Sequence, residues 1–274
     1  NWIERPPTKR KVAGSSPAAS AINTIPKGIS MKNIQIISNP RNGSTYLQRI
    51  LCHHLMNENS EYTGINEPFL IPSEITGKNN ITDFFTRQLT AIEDNVPVVM
   101  KTHITQIVDL KEYDVIDHYY HTQYYTVVII RKDVFESALS LAIADIKKEF
   151  VEYHNFDKVE ITEKMIIAYV ENQLWDLKYI CKNEFRIPYN EIIFMEDLTF
   201  DPVTDYHNMK LCSQPIELLK PFDISKLKAP NKTAIVDNYD FLRNVATEYL
   251  STKKYEYATF DGTMLCNIKF DMCQ

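Results

Sequence analysis

The sequence predicts a three-layer α/β domain: a mainly parallel sheet of about four or five strands, with helices on both faces. Three observations carry that prediction. Short apolar runs recur at residues 33–38, 96–101, 124–131 and 191–195. Stretches with helical apolar spacing separate most of them. The run Val127–Ile130 is apolar at every position, as a strand buried on both faces must be. Alternation of strand and helix along a chain produces parallel strands joined by crossovers.

Taken in order, residues 33–38 (N-I-Q-I-I-S) form the first strand. In residues 44–57, Leu47, Ile50, Leu51, His54 and Leu55 fall at i, i+3, i+4, i+7 and i+8, one face of a helix. Residues 60–80 show no clear period, and 83–93 read as a helix. Residues 96–101 (V-P-V-V-M-K) are the second strand and 124–131 the third and most central. Residues 133–150 read as a helix N-capped by Asp133. A long helix follows at 161–183, with Ile166, Val170, Leu174, Leu177 and Cys181 on its apolar stripe. A fourth strand at 191–195 and a late helix at 238–250 complete the pattern.

Composition narrows the function. The chain has 274 residues, 44% hydrophobic and 24% charged, which is ordinary for a globular protein. No apolar run approaches the ~18 residues of a membrane span. The formal net charge is −6, and residues 1–30 hold five Lys/Arg against one Asp/Glu, so the body is more acidic still. That balance argues against general nucleic-acid binding. The five cysteines are scattered, with no C-x-x-C and no H-E-x-x-H, so no metal site is implied and reduced cytoplasmic thiols are expected. His53 and His54 sit together in the first helix without ligand spacing.

Residues 1–30 contain Pro6-Pro7, Lys9-Arg10-Lys11 and a Gly-Ser-Ser-Pro stretch, with no helical or strand period. Met31 is the first methionine and opens the first strand. The expectation is a non-native or upstream leader over 1–30 and a single domain over 31–274; a basic, disordered arm is the other reading.

Only six glycines occur, at 14, 28, 43, 64, 77 and 262. No two are two, four or five residues apart, which excludes G-x-G-x-x-G, G-x-S-x-G and the standard Walker A loop. An AT-rich coding bias would also produce the scarcity. Gly43 nevertheless sits between the first strand and its helix, in Asn39-Pro40-Arg41-Asn42-Gly43-Ser44-Thr45-Tyr46. A tight loop feeding a helix N-terminus presents unpaired N–H groups and a positive dipole end to an anion. A capped helix with nothing bound is the alternative.

P-R-N-G-S-T-Y-L after an apolar strand resembles the 5′-phosphosulfate loop of the PAPS-dependent sulfotransferases, most of all their bacterial and carbohydrate-type branch. The resemblance implies that Arg41, Asn42, Gly43, Ser44, Thr45 and Tyr46 bind the nucleotide. Arg41 would bridge its phosphate and the transferred sulfuryl group. Three further segments follow in the family's order. Lys101-Thr102-His103 is similar to the K-T-H that supplies a lysine beside the transferred group and a histidine base. Arg131-Lys132-Asp133-Val134-Phe135-Glu136-Ser137 resembles the 3′-phosphate site, two residues short. Arg131 is therefore paired with Ser137, or with Ser140 if no gap is allowed. I-I-F-M-E-D-L-T-F-D-P at 192–202 resembles a strand and turn of the family, with Met195 where a tyrosine is usual and with Glu196 and Asp197 in structural roles. Lys226, Lys228 and Lys232 precede a segment like the family's C-terminal region, and one of them could close over the 3′-phosphate. Glu67, in Asn66-Glu67-Pro68-Phe69, is the rival to His103 as base.

The resemblance implies sulfuryl transfer from PAPS to a hydroxyl or amine on a carbohydrate or other small molecule, with release of PAP and no metal. A divergent nucleotide or nucleoside kinase and a non-catalytic anion-binding member of the fold stay open. The acceptor pocket is expected from residues 60–80, 147–160 and the tail after Thr252. Tyr119, Tyr120, Tyr124 and Tyr125 either line a sugar site or pack in the core.

Overall fold

The computed structural model describes residues 33–58, 62–94, 97–121, 124–148, 157–183, 186–211 and 231–271. Residues 1–32, Met31 among them, and Lys226 and Lys228 lie outside the described residues. Five strands, β1 (Asn33–Ser38), β2 (Thr63–Asn66), β3 (Val98–His103), β4 (Tyr124–Ile130) and β5 (Glu191–Phe194), form one sheet in the order β2-β3-β1-β4-β5. Every pairing in it is parallel.

Side-chain alternation along β1 and β3 sorts residues onto two covered faces. Ile34, Ile36 and Val99 pack with Leu47, Ile50 and Leu51 of α1 (Ser44–Glu58). Ile37, Met100 and Val128 pack on the other side with Phe84, Phe85 and Leu89 of α2 (Lys78–Glu93). The same cluster takes in Ile104 and Ile107 of α3 (Ile104–Glu112), and Leu177 and Ile180 of α6 (Glu163–Lys182). A further apolar cluster joins α5 (Val134–Lys147), the first half of α6 and α9 (Tyr239–Ser251). Each fully buried Ile or Leu contributes ~1.5–3 kcal/mol relative to exposure. Tyr119 belongs to this interior: it is 2% exposed, packs edge-on to Phe69 and receives a hydrogen bond from Gln35 Nε2.

β1 leads through α1 to β2 on one side of it, whereas β4 leads through α5 and α6 to β5 on the other. The crevice between the carboxyl ends of β1 and β4 is therefore a topological switch point, where α/β sheets bind their ligands.

Several expected boundaries shift for local reasons. The aperiodic stretch 60–80 contains β2, an edge strand of only four residues that takes its register from β3. Gly64 in β2 lets α1 approach: a Cβ there would lie 2.8 Å from Cys52 Sγ. β3 begins at Val98 and runs on to His103, because Lys101, Thr102 and His103 continue the pairing with β1. α2 starts at Lys78, earlier than its apolar period suggests. α3 and α4 (Ile116–His121) occupy a region left unassigned by periodicity. α5 ends at Lys147, since Lys148 turns left-handed at φ 57°. A short 3-10 turn, Met195–Asp197, and α7 (Pro202–Asn208) follow β5, and α8 (Lys232–Ile235) precedes α9.

The tail is an antiparallel hairpin, β6 (Ala258–Asp261) and β7 (Met264–Ile268), forming a second sheet. It docks on the β4–α5 connection: Val134 N–H donates to Thr263 O at 3.1 Å and Leu265 N–H to Lys132 O at 2.9 Å. No helix among the described residues is long and apolar enough to cross a membrane.

Candidate functional site

The loop between β1 and α1 lies at the switch point. Arg41 and Gly43 both adopt positive φ, 69° and 84°. A Cβ on Gly43 would meet Ile129 and Met195 at an ordinary 3.5 Å, so the backbone angle, rather than space, asks for glycine. Leu47 N–H donates to Gly43 O at 3.1 Å and opens the helix. The N–H groups of Ser44, Thr45 and Tyr46 precede that bond and have no intrahelical acceptor. The Tyr46 side chain points away: its hydroxyl donates to Asp205 Oδ2 at 2.6 Å, and its ring lies 5.0 Å from that of Phe200. What Tyr46 offers the loop is its backbone.

On the β3 side, Lys101 Nζ donates to Thr45 Oγ1 at 3.1 Å and pairs with Glu67 Oε1 at 2.6 Å. The same Oε1 lies 3.1 Å from His103 Nε2. His103 Nδ1 lies 3.2 Å from Ser38 O and 3.3 Å from Ser38 Oγ. The two rival bases, His103 and Glu67, are thus hydrogen-bonded to each other. Glu67 N–H donates to Lys101 O at 2.9 Å, and Glu67 itself sits at φ 47°, a conformation that costs a non-glycine residue ~1–3 kcal/mol. Burial would raise the Glu67 pKa, but the His103 hydrogen bond and the charges of His103 and Lys101 outweigh it and hold the carboxyl at about 2. With Glu67 ionised, Nε2 must carry the proton it shares. Both N–H groups of a protonated His103 then have acceptors, Ser38 O and Glu67 Oε1.

On the β4 side, Arg131 follows the strand and Asp133 caps α5, accepting from Glu136 N–H at 3.1 Å. Glu136 is the hub. Its Oε2 lies 3.4 Å from Arg131 Nη2 and 2.5 Å from Lys232 Nζ, and its Oε1 lies 3.1 Å from Arg243 Nη2 and accepts from the Tyr239 hydroxyl. Burial would raise the Glu136 pKa, but Lys232 above all, then Tyr239 and Arg131, hold it at about 2. Burial pushes the Lys232 ammonium below its ordinary range, helped by the neighbouring Arg131 charge and opposed by Glu136. Glu196 accepts from the N–H groups of Lys132 and Asp133 at 2.9 and 3.1 Å, which fixes the turn carrying Arg131.

Ser137 joins this cluster to the loop. Its Oγ lies 2.6 Å from Asn42 Oδ1 and 2.7 Å from Gln173 Oε1. One hydroxyl hydrogen cannot serve both, so one of the two amides must present its NH2 to the hydroxyl. Asn39 Nδ2 donates to Gln173 O at 3.1 Å and extends the chain. Ser140 lies one turn further along α5, 2% exposed. Ser137 is therefore the serine in contact with the loop.

Periodicity and motif reading passed over Gln173, Glu136, Tyr239 and Arg243. Gln173 carried a signal, as a polar residue beside Val170 and Leu174 on a buried face of α6. Asp176, one turn on, is another: it is 4% exposed and its Oδ1 has no hydrogen-bond partner among the described residues. Glu136, Tyr239 and Arg243 carried none, because their meeting depends on how α5, α8 and α9 pack.

The arrangement offers a loop with amides free of helix bonding, an imidazole sharing a proton with a carboxylate, and cations on both sides. Among the described residues, no group of three or more His, Cys, Asp or Glu could hold a metal ion. The chain matches no protein-family model and no curated protein, so its chemistry rests on its own residues.

Proposed function

We propose that the protein transfers a sulfuryl group from PAPS to a hydroxyl or amine of a carbohydrate or other small molecule, releasing PAP. One observation carries the reading. The Gly43 loop, the Lys101–Glu67–His103 cluster and the Arg131–Ser137–Lys232 group meet at the carboxyl end of one sheet, joined by the Lys101–Thr45 and Ser137–Asn42 contacts. Those are the segments whose sequences resemble the sulfotransferase motifs, and their order along the chain alone did not require them to meet.

In this reading the loop is a single-glycine phosphate loop. Its amides and Arg41 receive the 5′-phosphosulfate, and Arg131, Ser137 and Lys232 receive the 3′-phosphate. The acceptor oxygen attacks sulfur in line, the bond from sulfur to the bridging phosphate oxygen breaks, and PAP leaves. Positioning and charge stabilisation supply most of the acceleration, as in phosphoryl transfer. In the base role His103 carries its proton on Nδ1, held by Ser38 O, and Nε2 parts from Glu67 Oε1 to take the acceptor's proton. Glu67 stabilises the imidazolium formed, and Lys101 supports the sulfuryl oxygens. Glu67 held ionised near 2 is too weak a base for the primary role.

The test is a transfer assay with labelled PAPS over sugars, lipids and phenols. The reading expects label in one acceptor class, and its loss in Arg41→Ala and His103→Ala. Labelled product at equal rate in His103→Ala would remove the histidine from the base role. No transfer to any class, with no binding of PAP, would remove the activity.

A further inference from the structure

The β4-side cluster contains its own anion. Arg131, Lys232 and Arg243 all converge on Glu136, whose carboxylate sits at 3.4, 2.5 and 3.1 Å from them. Lys232 is nearly enclosed, with a side chain 8% exposed, and it also donates to Glu136 O at 2.7 Å. Arg243 is shared with Asp133 at 3.1 Å. Glu136 directly precedes Ser137, whose hydroxyl reaches Asn42 of the loop. A carboxylate and a phosphate present the same acceptors to a guanidinium or an ammonium, so they compete for the same fork.

We infer that the Glu136 carboxylate fills the place of a ligand's second phosphate and must withdraw before a 3′-phosphorylated nucleotide is held at full affinity. Glu136 is then a specificity-determining residue. It sets a handicap against the 3′-phosphate and none against a nucleotide with a free 3′-hydroxyl, which a carboxylate can accept. Two phosphate charges placed beside Glu136 would meet a like charge; with Glu136 withdrawn they would meet three cations, with Asp133 and Glu196 as the remaining carboxylates. This inference rests on the nucleotide reading above, but the subsite itself does not, since any tetrahedral oxyanion would test it.

The experiment titrates wild type and Glu136→Gln with PAP, with 5′-AMP and with inorganic sulfate, by calorimetry and thermal shift. The expected result is a PAP affinity at least about tenfold higher in Glu136→Gln, with 5′-AMP within about twofold. An unchanged ratio of PAP to 5′-AMP affinity, or weaker PAP binding, overturns the inference: Glu136 would then only brace Arg131 and Lys232. If neither nucleotide binds either protein, the donor reading fails by itself. In that event, saturable sulfate stabilisation gained only in Glu136→Gln supports the subsite, and its absence overturns it. Should Glu136→Gln fail to fold, Glu136→Asp, which retracts the carboxylate by one methylene, must still bind PAP more tightly than wild type, and an unchanged affinity overturns the inference.

Discussion

On the β3 side of the loop, one carboxylate, Glu67, serves one lysine and one histidine, and all three groups come from the adjacent strand ends of β2 and β3. On the β4 side, three carboxylates, Asp133, Glu136 and, 4.0 Å from Arg131 Nε, Glu196, serve Arg131, Lys232 and Arg243, groups spread along the chain between residues 131 and 243. The first cluster sets one carboxylate against one lysine and holds an imidazole bonded to that carboxylate. The second sets three carboxylates against three cations and holds Lys232, whose ammonium burial pushes down to about 7. On the proposed reading, the imidazole side handles the acceptor's proton and the side with three cations captures the anion.

The sharpest way to break that division is a pair of variants. His103→Ala should lower turnover about 10²–10⁴-fold while PAP binding stays close to wild type. Arg131→Ala should do the opposite, weakening PAP binding more than it slows turnover at saturating donor. Parallel loss of both quantities in both variants would erase the distinction.

Next in size is stability on the β3 side. Glu67→Gln leaves Lys101, only 4% exposed, without its counter-charge, and should cost about 3–5 kcal/mol at pH 7. The Glu67 pKa is depressed in the folded state, so its contribution is present above about 4.5 and is lost as pH falls toward about 2. Denaturation curves of the two proteins should therefore converge over that window; a constant gap down to pH 2 would mean that Glu67 acts through packing.

Asp176 offers a contrast, since it belongs to neither cluster. Burial pushes its carboxyl up to about 8, so its contribution is full below about 4 and is lost as pH rises through 8. Asp176→Asn should then be more stable than wild type at pH 8, on the order of 1–3 kcal/mol, with the gain vanishing near pH 4. A less stable variant at pH 8 would show that the ionised carboxylate has a partner. The smallest expected effect is Gly43→Ala, ~1–2 kcal/mol of destabilisation from a Cβ at φ 84°, since space there is adequate.

The central strands and long helices were legible because their apolar residues repeat with the period of the element. Val127–Ile130 in β4 and the Ile166-to-Cys181 stripe of α6 left little choice. β2 was not legible: T-G-I-N has no period, and β3 supplies its pairing. The loop, Lys101, His103, Arg131 and Ser137 were legible as residue types at given spacings. The bond between Glu67 and His103 was not, because it depends on β2 lying beside β3. The β4-side hub was least legible, for Lys232 and Arg243 reach Glu136 across 96 and 107 residues of chain. A helix face shows which residues are buried; it does not show which distant charge will meet them.

The most direct test of the central claim, that this crevice holds a 3′-phosphorylated nucleotide, is thermal stability with PAP and with ATP-Mg²⁺ side by side. The account predicts saturable stabilisation by PAP, about 2.7 kcal/mol at a hundredfold excess over Kd, and none by ATP-Mg²⁺. Stabilisation by ATP-Mg²⁺ without PAP would contradict it and point to phosphoryl transfer.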